Sequence, residues 1–483
     1  MPLTRRELLG GGAALALTGL YRCGRFAAGE VGGPYDVVVL GSGFAGTHLA
    51  LVTAAAGLET ALVEASPEKG LDFVSRGVGS PFEVANAGEI DYDANASRVI
   101  AVGGTSRHWT GMVNRLRPTD FRMASEFGLE VDWPLGYDDL APWYCRAEEA
   151  LAAVGGAVEP LAEPARECAY PRLDNDAYRP PQVEIDGERP AFFGVARSQR
   201  GDGPVRLAET EIPRFVSLPH AALIAGYQAV ELVAGPDGGV EWVRLRDVEG
   251  NETRVRGRAV VVAAGVIETP RLLLRSRLGN GHDLVGRYFV EHPTLAMRFP
   301  PGPGVDVPPG HHRTYHYNDL FRRRGLNACH YQLHRLPGGD LEWKMQPELE
   351  GRPENRVGLS ATEVDRYGTP RVELTFGYSE RDRRTFDAGL EVLRREARAL
   401  GAGAKAAVRR RWRDHPAGTC RMGSSPADGV VDRDHRVFGV DNLYLSGATV
   451  FPTSGTSNPT ATVVAMTLRL ASRLLERYSP SAG

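Results

Sequence analysis

Tyr35-Asp36-Val37-Val38-Val39-Leu40-Gly41-Ser42-Gly43-Phe44-Ala45-Gly46 decides the fold of this chain. The apolar run from Val37 to Leu40 predicts a parallel strand buried on both faces. Gly41 permits a tight turn after it, Gly43 lets the backbone approach a pyrophosphate, and Gly46 lets the following helix lie against the strand. That helix is expected from about Thr47 to Ala56, with Gly57 as its C-terminal cap. A second strand follows at Thr60-Ala61-Leu62-Val63 and ends at Glu64. Glu64 lies roughly twenty residues past the glycines, where an acid binds the two ribose hydroxyls of an adenosine. Three spaced glycines alone are weak evidence. Strand, glycines, helix, strand and acid in register specify a dinucleotide cradle.

The totals bound what surrounds this cradle. With 483 residues, 42% hydrophobic content and a formal net charge of −3, the chain can bury a large core as two domains or one elaborate one. No basic stripe with interleaved aromatics points to nucleic acid. Arg322-Arg323-Arg324 and the arginines around Trp412, from Arg409 to Arg413, read as short solvated faces. At the N-terminus, Thr4-Arg5-Arg6-Glu7-Leu8-Leu9 leads into a Gly- and Ala-rich run that reads as a twin-arginine export signal over residues 1–29. Its apolar part, Leu8 to Leu20, is shorter than the ~20 residues that span a bilayer, so the mature chain is expected to have no membrane span. Beyond it, Cys145, Cys168, Cys329 and Cys420 allow three pairings in an oxidising compartment and lack metal-ligand spacing.

Outward from the cradle, Gly103-Gly104-Thr105-Ser106-Arg107-His108-Trp109-Thr110-Gly111 supplies small residues suited to close backbone contact with phosphates or a ring. Strands are expected at Ala229 to Val233, Val240 to Val248 and Val255 to Val262, the first two joined by the Pro236-Asp237-Gly238-Gly239 turn. Ala263-Ala264-Gly265 then turns into a short helix from Arg271 to Leu274. Phe299 to Asp319, rich in proline, glycine and histidine, reads as a substrate loop or lid. For its histidines, and for His330 and His334, no acid or cysteine completes a metal cluster. Alternation at Val357, Leu359, Val372, Leu374 and Phe376 predicts a half-buried antiparallel sheet. Phe386, Leu390, Leu393, Ala397 and Leu400 form the apolar stripe of a helix.

The Gly103–Gly111 stretch, together with Asp132-Trp133-Pro134-Leu135-Gly136-Tyr137 and the C-terminal motifs, resembles the glucose-methanol-choline (GMC) oxidoreductases. The C-terminal motifs are His415-Pro416-Ala417-Gly418-Thr419, Ser446-Gly447-Ala448 and Ser457-Asn458-Pro459-Thr460, the last opening a helix to about Leu475. The resemblance implies FAD and an α/β fold. A Rossmann-like FAD-binding domain would comprise residues 33–118, 204–297 and 414–483. An inserted α+β substrate domain on a mostly antiparallel sheet would comprise residues 119–203 and 298–413. Members place a histidine before a Gly-Thr pair and, about forty residues later, a histidine or asparagine before the last helix. His415 and Asn458 occupy those places. The resemblance also implies that Gly41, Gly43, Phe44, Ala45, Gly46, Glu64, Gly104, Thr105, His108, Thr110, Val230, Ala264, Gly265, Gly447, Ala448, Asn458, Pro459 and Thr460 hold the cofactor. In the pyranose 2-oxidase branch a histidine followed by tryptophan bonds covalently to the flavin, whereas dehydrogenases with a similar pair hold FAD without a bond. His108-Trp109 fits either arrangement.

Oxidising an alcohol on a flavin needs the carbinol carbon held at N5 for hydride transfer while the hydroxyl loses its proton. A histidine, with an ordinary pKa near 6.5, can take that proton, and Asn458 can orient the same oxygen. The expected activity is oxidation of a sugar, glycoside or polyol hydroxyl by an exported enzyme, with electrons passed to a quinone or a cytochrome, or through a small partner subunit. An oxygen-reducing sugar oxidase and a non-redox lyase of the same fold are the competing classes.

Overall fold

A computed structural model describes residues 31–66, 73–74, 84–155, 168, 184–193, 197–307, 312–365, 367–403, 406–412 and 414–479. The export-signal reading therefore falls outside the described residues. At the centre is a five-stranded, all-parallel sheet in the order Leu443–Leu445, Gly257–Val262, Tyr35–Leu40, Thr60–Glu64, Ala221–Ala225. Val39 pairs with Leu62 on one side and Val261 on the other, and Val37, Val38 and Val39 are fully buried. That explains the unbroken apolar run, since a strand covered on both faces has no reason to alternate. Helix Phe44–Ala55 packs against the last helix, Thr460–Tyr478. The first helix thus begins three residues earlier than the glycine spacing suggested, because Gly43 itself serves as its N-cap.

Two expectations from the sequence are corrected next to this sheet. The stretch from Val255 to Val262, expected as one strand, is divided between two, with the break at Arg256. Glu252–Val255 closes an antiparallel three-stranded sheet with Gln228–Ala234 and Val240–Arg246, while Gly257–Val262 joins the parallel sheet. A change of sheet needs a bend that hydrophobicity does not report. The short helix expected from Arg271 to Leu274 is a full one, Gly265–Ser276, because the small-residue turn is already its first turn.

The second layer is a six-stranded antiparallel sheet in the order Val408–Trp412, Pro293–Phe299, Leu341–Pro347, Cys329–Arg335, His312–His316, Ala191–Phe193. Part of the expected 299–319 loop is therefore an inner strand. One face, with Leu295, Met297, Tyr331, Leu333, Trp343 and Met345, packs on helix Glu380–Ala399. Tyr331 donates to the carbonyl of Gly389 at 3.1 Å, and the Trp343 indole donates to Glu396 at 3.2 Å. The other face carries Thr294, His330, Gln332, Lys344 and Gln346, all buried, and it is this polar face that reaches the site. A further antiparallel pair, Arg356–Val364 with Pro370–Thr375, fits the expected alternation.

Cys145 and Cys168 form a disulfide, and Cys329 and Cys420 are buried thiols. Arg322 is not part of a solvated face. It is fully buried, with its guanidinium 2.7 Å from Asp120 and 2.9 Å from Glu348. Among the described residues no helix is long and apolar enough to cross a membrane.

Candidate active site

A cavity of about 390 Å³ opens at the carboxyl ends of the parallel strands, lined by Leu40, Glu64, Ala263 and Ser446 as those strands finish. Tyr35–Leu40 has its neighbours in the sheet on opposite sides, one from the next strand in sequence and one from far downstream. This is the switch point at which open α/β sheets bind ligands. A volume of this order is that of a small-molecule or cofactor site.

At one end Glu64 is fixed by the turn that the glycines create. Its carboxylate accepts hydrogen bonds from the Ser42 hydroxyl at 2.6 Å, the Ser42 amide at 3.1 Å and the Ser66 amide at 3.0 Å. Burial pushes its pKa up, against those three donors. Ser42 in turn accepts from the amide of Gly103 at 3.0 Å, which joins the first turn to the second glycine-rich stretch. That second stretch is pinned from behind. The Trp109 indole donates to the carbonyl of Val205 at 2.8 Å, and Arg206 donates to the carbonyls of Ser106 and Trp109. His108, Trp109 and Thr110 then line the cavity wall. Near the rim, Glu268 bridges Arg98 and Arg271 at 2.9 and 3.1 Å. Burial raises the Glu268 pKa, and the two guanidinium groups more than reverse this.

The fit to a dinucleotide rests on the backbone. A Cβ added to Gly43 would meet nothing within 4 Å, whereas one at Gly41 would lie 2.7 Å from the carbonyl oxygen of Ala263. The turn is therefore closed on the protein side and open on the cavity side, as a pyrophosphate requires. Glu64 and Ser42 would hold the adenosine ribose, Gly43 and Gly104 the phosphates, and Gly447, Ala448, Pro459 and Thr460 the ring at the far end.

At that far end His415 and Asn458 meet. Asn458 Nδ2 is 2.9 Å from His415 Nε2, and both residues line the cavity. Asn458 Oδ1 is buried with no hydrogen-bond partner among the described residues. A buried amide oxygen left this way calls for a donor from a bound molecule, as a hydroxyl provides.

Of the residues expected from the sequence, Gly46 alone does not line the cavity. A Cβ there would fall 1.8 Å from the carbonyl oxygen of Gly41, so Gly46 serves helix–strand packing and not cofactor contact. Among the described residues of the expected substrate domain, 119–203 and 298–413, Thr369 alone lines this cavity.

Sequence reasoning missed the support behind His415. Glu291, fully buried, accepts the His415 amide at 2.8 and 3.1 Å, the His292 amide at 2.7 Å and the Tyr92 hydroxyl at 2.7 Å. Burial pushes the Glu291 carboxyl up to about 8, and these donors pull the other way. Nothing in the local sequence around Glu291 shows that it folds against residue 415.

Models of the GMC oxidoreductase family match residues 208–294 and 351–467. The chain is 29% identical to 6'''-hydroxyparomomycin C oxidase of Streptomyces lividus, over 90% of both chains. It is 24% identical to the fructose dehydrogenase large subunit of Gluconobacter japonicus, over 91% of this chain and 97% of that one. Among solved structures, pyridoxine 4-oxidase from Mesorbium loti superposes with a TM-score of 0.64 at 19% identity, covering 91% of this chain and 98% of that one. FAD is the cofactor that this family's cavity takes.

Proposed function

The chain belongs to the GMC oxidoreductase family, and from that premise we propose that it oxidises a hydroxyl group of a sugar, glycoside or polyol, with His415 as the base. The observation that carries this reading is the 2.9 Å contact between His415 Nε2 and Asn458 Nδ2 on the cavity wall. When bound, FAD supplies the two-electron oxidation, accepting hydride from the carbinol carbon. His415 Nε2 receives the hydroxyl proton, a role worth about 10²–10⁴ in rate. Asn458 orients the same oxygen without competing for the proton. The first turn of helix Thr460–Tyr478 faces the cavity, and its N-terminal dipole favours negative charge there. The names of two relatives, the fructose dehydrogenase large subunit and C-glycoside 3-oxidase, support a sugar-like substrate.

For the acceptor we favour a quinone or cytochrome over oxygen, on the likeness to the fructose dehydrogenase large subunit and on the Arg5-Arg6 export reading. The same reading makes the mature enzyme periplasmic or extracellular. A panel of sugars, glycosides and polyols is mixed anaerobically with the holoenzyme, and bleaching of the flavin identifies the substrate. His415→Ala should keep its yellow FAD and lose bleaching by at least about 100-fold. If no member of the panel bleaches the wild type, the hydroxyl-oxidation reading fails. Vigorous peroxide production with oxygen as sole acceptor would overturn the dehydrogenase half.

A further inference from the structure

Resting on that assignment of His415, we infer that His292 is a positioning residue that fixes which nitrogen of His415 carries the proton. The two rings stand edge to face, with centroids 5.4 Å apart, and their Nδ1 atoms are 3.2 Å apart. One of those nitrogens must donate and the other accept. Two main-chain carbonyls, which can only accept, decide which.

His292 Nε2 lies 2.8 Å from the carbonyl oxygen of Gly455, so it carries the proton and donates. The amide nitrogen of Gln346 lies 3.0 Å from the carbonyl oxygen of Thr456 and 3.1 Å from His292 Nδ1. The carbonyl fixes the Gln346 amide with its NH2 toward both. His292 Nδ1 is therefore bare, and its one lone pair is shared between the Gln346 amide at 3.1 Å and His415 Nδ1–H at 3.2 Å. A neutral His415 with its proton on Nδ1 has its lone pair on Nε2, where it accepts from Asn458 Nδ2 at 2.9 Å. The opposite tautomer would need a proton on His292 Nδ1. In a neutral His292 that would set N–H against NH2 at Gln346 and leave a bare nitrogen facing the Gly455 carbonyl, two buried polar clashes at once; in an imidazolium the clash at Gln346 would remain, beside a buried charge.

The wiring places the only basic lone pair of His415 on the nitrogen that faces the cavity. It also ties that choice to residues 455–456, on the same loop as Asn458. Gly455 is held in its turn by Glu348, whose carboxylate accepts the Gly455 amide at 2.8 Å. His292 is 1% exposed, does not line the cavity, and acts through His415.

The holoenzyme tests this directly. With histidine labelled by nitrogen-15, the His415 signals, assigned by their loss in His415→Asn, should show a bare Nε2 and a protonated Nδ1. No substrate is needed, so this readout stands even if no alcohol bleaches the flavin. In His292→Leu the tautomer should become mixed, and flavin reduction at saturating substrate should slow by about 100-fold with little change in KM. His292→Asn, which can return an acceptor near the Nδ1 position, should recover at least about a tenth of the wild-type rate. A protonated Nε2 in the wild type overturns the inference. So does a His292→Leu variant that keeps both the wild-type tautomer and the wild-type reduction rate. Should His292→Leu fail to load FAD, the wild-type spectrum and His292→Asn still decide.

Discussion

Adding one methyl group at Gly43 and one at Gly46 should have opposite consequences, although the two positions lie in the same turn. Gly43 has φ −70° and ψ −170°, extended backbone that any residue adopts, and its added Cβ would meet nothing within 4 Å. Gly43→Ala should therefore cost the apoprotein no more than about 0.5 kcal/mol, the loss expected when alanine replaces glycine at a helix N-cap. The methyl would instead occupy space reserved for phosphates. Overpacking by one methyl costs about 1–3 kcal/mol, which is roughly a 5- to 150-fold loss of FAD affinity. At Gly46 the added Cβ falls 1.8 Å from the Gly41 carbonyl oxygen and 3.3 Å from Val39 Cγ1, roughly 1.5 Å or more inside normal contact with that oxygen. Alanine in a helix ordinarily gains about 1 kcal/mol over glycine. Here the strand and helix must separate, and Gly46→Ala should lower stability by a net ~2 kcal/mol. Titrating each apoprotein with FAD by flavin fluorescence, alongside urea unfolding of the same apoproteins, separates the two effects. Wild-type FAD affinity in Gly43→Ala, or full stability in Gly46→Ala, would refute the assignment of one glycine to the ligand and the other to packing.

Two further outcomes follow from buried charge. The Glu291 carboxyl is raised to about 8 in the fold from its usual value near 4.3, so its contribution to stability is fully present below about pH 4 and is lost as pH rises through about 8. Unfolding free energy measured from pH 5 to 9 should decline in the wild type by up to about 4 kcal/mol, and Glu291→Gln should flatten that decline; parallel slopes would show that another group titrates there. Arg322→Leu leaves Asp120 and Glu348 buried without their shared cation and should cost about 3–5 kcal/mol in urea unfolding. Since Glu348 also holds Gly455, the same variant should slow flavin reduction, and a wild-type rate in a folded Arg322→Leu would show that this loop needs no such brace.

Much of the site could be read from the chain because its chemistry is local. A strand, a glycine turn and an acid at a set distance are one βαβ unit, and Gly41, Gly43 and Glu64 end up where that unit requires. His415 and Asn458 were legible as motifs, and the fold brings them to 2.9 Å. The failures share a cause. Arg322 looked like part of a charged surface because a run of arginines carries no mark of the acids, Asp120 and Glu348, that meet it from distant segments. The break at Arg256 was hidden because nothing in the residues around it shows that Glu252–Val255 pairs with Val240–Arg246 while Gly257–Val262 pairs with Tyr35–Leu40 and Leu443–Leu445.

The sequence by itself determined the first βαβ unit of the parallel sheet and its ligand end, since these depend on residue type at short spacing, and the family resemblance picked out His415 and Asn458. Which nitrogen of His415 is basic was left to the tertiary structure. That choice depends on the carbonyls of Gly455 and Thr456 meeting His292 and Gln346, and a carbonyl belongs to every residue alike, so only the folded backbone can tell where it points.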